Sequence, residues 1–192
     1  MNLINYPLIW QNAVELPDYW RNFETELSTS QKQGPHAAYL PINWQRVQRI
    51  NKQLQLHQDW AEWISTLKSQ INWLIISEHW CGDAAQILPV VEKMAQQSEG
   101  KVNIKVIYRD QNLEVMDRHL TQGSRSIPKI IGLDSNFHLL GDWGPRPKEA
   151  QALRAQFPTS SKEYADALHL WYGRNKQVAI QKEVLDWIKS II

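Results

Sequence analysis

Residues 77–85 read SEHWCGDAA, and Cys81 within them is the only cysteine in 192 residues. The thiolate is the reactive form of cysteine, so the surroundings of this sulfur decide what it can do. An apolar run, Trp73–Ile76, precedes it, and a helical pattern begins close to Gly82. That spacing places Cys81 at or beside a helix N-terminus, where unpaired backbone N–H groups and the macrodipole favour an anion. The dipole effect is about 0.3–2 kcal/mol, which lowers a free-thiol pKa near 8.5 by roughly 0.2–1.5. Asp83, two residues on, opposes this as a like charge. The expected balance is a modest depression, with a minority of thiolate at neutral pH. His79 could offset Asp83 when protonated, although a histidine in such a loop is more often just solvated. Without its neighbours, a lone cysteine reads as a small buried hydrophobe.

Three regions must position this stretch. Residues 1–70 read as a helical extension. Leu16, Tyr19, Trp20, Phe23 and Leu27 share one side of a helical pattern, as do Ile42, Val47, Ile50 and Leu54 behind Pro41. Trp60, Trp63, Ile64 and Leu67 repeat the pattern, Gln33-Gly-Pro-His36 breaks the chain, and a short strand at Leu54–Leu56 stays open. Residues 71–157 read as an α/β core. It comprises a buried strand to Ser77, a helix over 83–97, an alternating strand over 102–108 and a short helix at Leu113–Leu120. A hairpin follows, of Lys129–Leu133 and Phe137–Leu140 about Asp134-Ser-Asn136. The helix after Pro147 completes this core. Residues 158–192 read as a C-terminal helical extension with breaks at Pro158 and Gly173.

Composition sets the remaining bounds. Lys plus Arg number 21 against 20 Asp plus Glu, which gives no electrostatic case for nucleic acid or an anionic membrane. One cysteine excludes an internal disulfide and any zinc site of paired cysteines, and no other metal or cofactor is expected. The opening MNLINYPLIW has no basic n-region or long apolar core, so no secretory signal is read and a cytoplasmic, reducing location is expected. No apolar run reaches bilayer length. Ten tryptophans lie scattered without a repeat.

With these pieces in order, the chain resembles the thioredoxin family. Trp80-Cys81-Gly82 follows an apolar strand, and Pro89 lies where that family kinks its active-site helix. Tyr108-Arg-Asp-Gln-Asn112 resembles the end of the next strand, Arg125-Ser-Ile-Pro128 the loop with a cis proline, and Gly141-Asp-Trp-Gly144 a glycine loop beside the site. WCGDAAQILPV and GDWGPRPKEAQ are similar to a bacterial branch described as thioredoxin family proteins. The resemblance implies a thioredoxin-like mixed sheet with flanking helices, to which helical N- and C-terminal extensions are added. It also implies Cys81 as the nucleophile, facing solvent opposite a cis Pro128. The substrate would lie against Trp80, Gly82, Asp83, Ile127, Pro128 and Trp143. Ile127 would offer its backbone to a substrate strand, Trp80 and Trp143 would wall the cleft, and Arg125 could attract an acidic thiol or a carboxylate.

The departures bear on function. Ala84 stands where the family has its second cysteine, which at i+3 would expel a bound substrate. Ile75 and Val106 stand where the family has a buried acid and a basic partner, and Gly82-Asp83 replaces Gly-Pro. Ordinary dithiol reduction is therefore not expected. Two readings remain. One is a monothiol oxidoreductase whose Cys81 exchanges with a protein disulfide or a low-molecular-weight thiol adduct and is resolved by an outside thiol. The other is a redox-inactive module that keeps the cleft for peptide binding.

Overall fold

The computed structural model describes residues 3–29, 35–157 and 161–192. At its centre, the β-branched and aromatic run Ile71–Ser77 forms a strand, β2, whose seven residues are all buried. The chain before it forms α1 (Tyr6–Asn12), β1 (Val14–Glu15), α2 (Leu16–Thr29), α3 (Leu40–Gln53) and α4 (Gln58–Thr66). After it come α5 (Ala84–Gln97), β3 (Val102–Tyr108), α6 (Leu113–Met116), β4 (Lys129–Leu133) and β5 (Leu139–Trp143). Helices α7 (Lys148–Ala152), α8 (Ser161–Asn175) and α9 (Val178–Ile191) complete the described chain.

The five strands form one mixed sheet in the order β1-β3-β2-β4-β5. β3 returns parallel to β2 after the crossover helix α5, and β4 runs antiparallel on the other side. Thus β2 ends where its neighbours change direction, the kind of switch point at which open α/β sheets leave a crevice beyond their strand ends. Cys81 lies just past that end.

Both extensions pack on this sheet rather than standing apart. Trp73 of β2 lies between Trp60 of α4 and Trp187 of α9, with ring centroids at 6.0 and 6.3 Å, so part of the scattered tryptophan content forms one aromatic column. Trp60 also donates its indole N–H to the Met94 carbonyl of α5 at 2.9 Å. The Gln181 amide accepts from His57 N at 2.8 Å and donates to Gln55 O at 3.2 Å, which ties α9 to the segment before α4. Gly132 and Gly141 are register partners on β4 and β5; a Cβ at Gly132 would lie 3.0 Å from Ile191, so α9 approaches the sheet closely there.

Several sequence expectations change. Residues 14 and 15, read as helical, form an edge strand paired with Val106 and Lys105; two residues between helical patterns are too few to show a period of two. Leu54–Leu56 belongs to no strand, and Ile42 is exposed while Leu40 and Asn43 take the buried positions. The second hairpin strand is Leu139–Trp143, because Phe137 adopts positive φ and prolongs the turn. Helix α6 stops at Met116, and α8 runs through Gly173 to the positive-φ pair Lys176 and Gln177. The breaks at Gln33-Gly34 and at Pro158 lie outside the described residues. No described helix is long and apolar enough to cross a membrane.

A buried polar chain ties α1 to the sheet. The Tyr6 hydroxyl meets His119 Nε2 at 2.8 Å, and His119 Nδ1 and Lys129 Nζ each reach the Asp142 carboxylate at 2.8 Å. Burial raises the Asp142 pKa, but these two hydrogen bonds outweigh it and hold the carboxyl at about 2. A carboxyl depressed on folding contributes stability that is present above the unfolded value near 3.9 and lost as pH falls through the folded one. Asp142→Asn is therefore expected to lower urea stability at pH 7 by about 3 kcal/mol, since it strands the buried Lys129 ammonium. The deficit should shrink as pH falls from about 4 towards 2. Equal losses at pH 7 and at pH 2.5 would disprove this assignment.

Candidate functional site

Beyond β2 the chain turns once, with Cys81 N–H donating to Glu78 O at 3.1 Å. The Cys81 carbonyl accepts the first helical bond of α5, from Ala85 N at 3.1 Å. Its sulfur takes the place of a capping acceptor, receiving the Ala84 N–H at 3.4 Å. The thiol itself donates to the Ile127 carbonyl at 3.3 Å. Helix α5 thus delivers Cys81 to its N-terminus as expected from the spacing.

The sulfur's environment differs from that expectation. Cys81 is 6 % exposed rather than solvent-facing. Burial, then the Asp83 carboxylate, pushes the thiol up to about 12, against the weaker pull of the Ala84 and Asp83 N–H groups and Arg146. The modest depression expected from sequence weighed the helix terminus against Asp83 and left out desolvation. Full burial can move a pKa by roughly 3–5, more than a helix terminus supplies.

Asp83 has a structural occupation. It is 7 % exposed, and its carboxylate accepts from Arg146 Nε at 3.1 Å and from the Tyr172 hydroxyl at 2.7 Å. Arg146 also donates to the Tyr164 hydroxyl, and the Asp83 charge outweighs burial to raise the arginine's pKa. The residue expected to meet substrate therefore docks α8 onto the start of α5. His79 does not offset it: its ring turns to α2, stacks on Phe23 at 4.7 Å and bonds Glu26 and the Tyr19 carbonyl. Burial lowers the His79 pKa against the opposing pull of Glu26.

A cavity of about 490 Å³ opens over the sulfur. Of the expected site residues, Trp80, Cys81, Gly82, Asp83 and Ile127 line it. Trp80 forms a wall, stacked on His36 at 4.4 Å, with the Arg109 guanidinium 4.7 Å from its ring centroid. Pro128 and Trp143 are not among the lining residues. Pro128 is buried behind Ile127 across a cis peptide bond, and Gly144, at φ +123°, packs where a Cβ would overlap the Pro128 carbonyl. Trp143 pairs with Ile130 on the sheet and bonds Glu183 of α9, so it is a core tryptophan rather than a cleft wall. Ile75 and Val106 are register neighbours, both fully buried.

The extensions supply further walls through residues that carry no motif, Tyr39, Asn43 and Arg46 from the N-terminal one and His169 from the C-terminal one, and the core adds Arg146. A Cβ on Gly82 would lie 3.0 Å from His169 Cε1 and 3.3 Å from Arg46 Nη1. Burial, with several arginines nearby, lowers the His169 pKa to about 4, so the ring is neutral at pH 7. Among the described residues, no group of three or more His, Cys, Asp or Glu is arranged to hold a metal ion.

Comparison with known proteins agrees with this architecture. In fold, the chain is similar to a Pseudomonas aeruginosa protein of unknown function, with TM-score 0.70 and 15 % identity over 99 % of this chain and all of that one. It is also similar to an HIV epitope scaffold, with TM-score 0.68 and 16 % identity over 98 % of this chain and all of the scaffold. In sequence, 52 residues are 38 % identical to thioredoxin 1 of Nostoc sp. and 36 % identical to thioredoxin of Synechocystis sp.. Those alignments cover 27 % of this chain and 46 % of each relative, so the chain spans less than half the length of either. The family model described as thioredoxin matches residues 32–162, well over half of the chain, and on that match the chain belongs to the thioredoxin family.

Proposed function

We propose that this protein is a monothiol member of its family, exchanging disulfides or thiol adducts through Cys81 with an external thiol as resolving partner. The observation that supports this is the placement of its only thiol at the start of α5, under an open cavity and against the Ile127 carbonyl. The Cys81 thiolate attacks one sulfur of a disulfide R–S–S–R′, forming Cys81–S–S–R and releasing R′–S⁻, which takes up a proton. A second thiolate then attacks the R sulfur, giving a new disulfide and restoring Cys81. Ala84 offers no internal sulfur for that second step. A free thiol of this kind suits a reducing compartment, and a cytoplasmic location is part of the reading.

The thiol at about 12 sets how this begins. At pH 7 the thiol is therefore overwhelmingly neutral before a ligand arrives. A ligand N–H that engages the Ile127 carbonyl would remove a hydrogen bond that favours the neutral thiol, and so lower its pKa. The same high value favours the second reading, a binding module in which Cys81 never ionises.

Three measurements decide between these readings. In the ligand-free protein, iodoacetamide alkylation of Cys81 is expected to accelerate about tenfold per pH unit beyond pH 9. A plateau near 8.5 would show that the thiol is not held neutral. Asp83→Asn removes the like charge and releases Arg146. It should speed alkylation at pH 8 at least about tenfold, while costing about 3 kcal/mol of urea stability through the broken buried pair. An unchanged rate would mean that Asp83 does not control the sulfur. Finally, wild-type protein exposed to disulfides should gain an adduct that an external thiol releases, and Cys81→Ser should gain none. No adduct on either protein, with ligand binding retained by Cys81→Ser, would leave the binding module as the function.

A further inference from the structure

The cavity over Cys81 is marked by its charge and by the side chains gathered around the sulfur. His36, Tyr39, Arg46, Arg146 and His169 line it, and Arg46 and His169 close over Gly82 next to the sulfur. A volume of about 490 Å³ lies within the range of small-molecule sites.

Four arginines line the space, Arg46, Arg109, Arg125 and Arg146, against one carboxylate, Asp83, which Arg146 and Tyr172 already engage. Arg109 and Arg125 pair with Asp110 and Asp117, which do not line the cavity and are about half exposed, so these pairs are weak. Arg46 donates to the neutral Asn43 Oδ1 at 2.8 Å and faces Arg49 as a like charge, with Asp83 as its opposing neighbour. His169 has a buried ring nitrogen, Nδ1, with no hydrogen-bond partner among the described residues. The fixed fork of an arginine suits a carboxylate, accepting two parallel hydrogen bonds.

We infer that the cavity is a subsite for a small carboxylate-bearing thiol, the moiety that Cys81 accepts and passes on. This rests on the monothiol reading for its chemistry and on the arginine walls for its selectivity. The carboxylates lie against Arg46, beside Gly82, and against Arg109, over the Trp80 ring, with the ligand sulfur directed to Cys81. The mixed disulfide formed is Cys81–S–S–R, with R the small thiol. The displaced partner leaves as a thiol, and a second molecule of R–SH resolves the adduct as R–S–S–R.

Binding and chemistry are tested separately. The probe for binding is S-methylglutathione, a carboxylate-bearing thiol whose sulfur is blocked, titrated calorimetrically into Cys81→Ser. Saturable binding is expected, weakened about tenfold by Arg46→Gln and by Arg109→Gln and weakened further by added salt. No binding, or binding unchanged in both arginine variants, overturns the subsite even if wild-type Cys81 reacts with a neutral disulfide. The probes for chemistry are oxidised glutathione and bis(2-hydroxyethyl) disulfide, with the adduct on wild-type protein followed by intact mass. The arginine variants should slow the first probe about tenfold more than they slow the second. Binding without any adduct supports the subsite and rejects the exchange chemistry, while equal slowing of both probes overturns the selectivity.

Discussion

The Asp83 carboxylate, held by Arg146 and Tyr172, joins the sulfur to the rest of the chain. A buried ion pair repays its desolvation only where further hydrogen bonds satisfy both ions, and here the Tyr172 hydroxyl donates to the carboxylate while the Tyr164 hydroxyl accepts from the guanidinium. One consequence is architectural, since α8 is fixed against the first turn of α5. The other is electrostatic, since a carboxylate two residues from Cys81 adds to desolvation and keeps the thiol neutral. One residue thus contributes both to the packing of the C-terminal helices and, after burial, to the neutral state of the sulfur.

Around that anchor, the extensions reshape a crevice that the sheet alone would leave. The end of β2 between a parallel and an antiparallel neighbour opens a space beyond the strand, and α5 delivers Cys81 into it. The Trp60–Trp73–Trp187 column and the Gln181 amide hold the N- and C-terminal helices to the same core. Arg46 and His169 then meet over Gly82, where the missing side chain leaves room for both. The glycine of Trp-Cys-Gly accordingly has a steric reason in this chain that no local motif displays.

This division also marks what could be read from the sequence. The buried strand, the helix after Cys81 and the hairpin were legible because each carries its own period, and the family followed from their order. The Cys81 burial, the occupation of Asp83 and the charge of the cavity were not. Each depends on residues at least 35 positions away in sequence, such as Arg46, Arg146, His169 and Tyr172, and a single sequence contains no signal that brings them together. Trp143 shows the opposite error: a tryptophan in a glycine-rich stretch was assigned to the cleft, but the strand alternation that pairs it with Ile130 turns it into the core. Arg125 was noticed for its charge, yet Arg46 on α3, with no carboxylate salt bridge of its own among the described residues, is the more telling arginine.

The absent second cysteine gives the cavity a further consequence. Thiol–disulfide exchange proceeds through a mixed disulfide, and the attacking sulfur must reach a sulfur of that bond. In a dithiol site the second attacker is already in place; here Ala84 N–H occupies that side of Cys81, and Ile127 and the core close the rest. On the proposed monothiol reading, the incoming disulfide and the resolving thiol would both reach Cys81 from the cavity lined by Trp80 and His169. Under that reading, exchange at Cys81 would follow a two-stage order in which the first product leaves before the resolving thiol attacks, the kinetic pattern of a covalent intermediate.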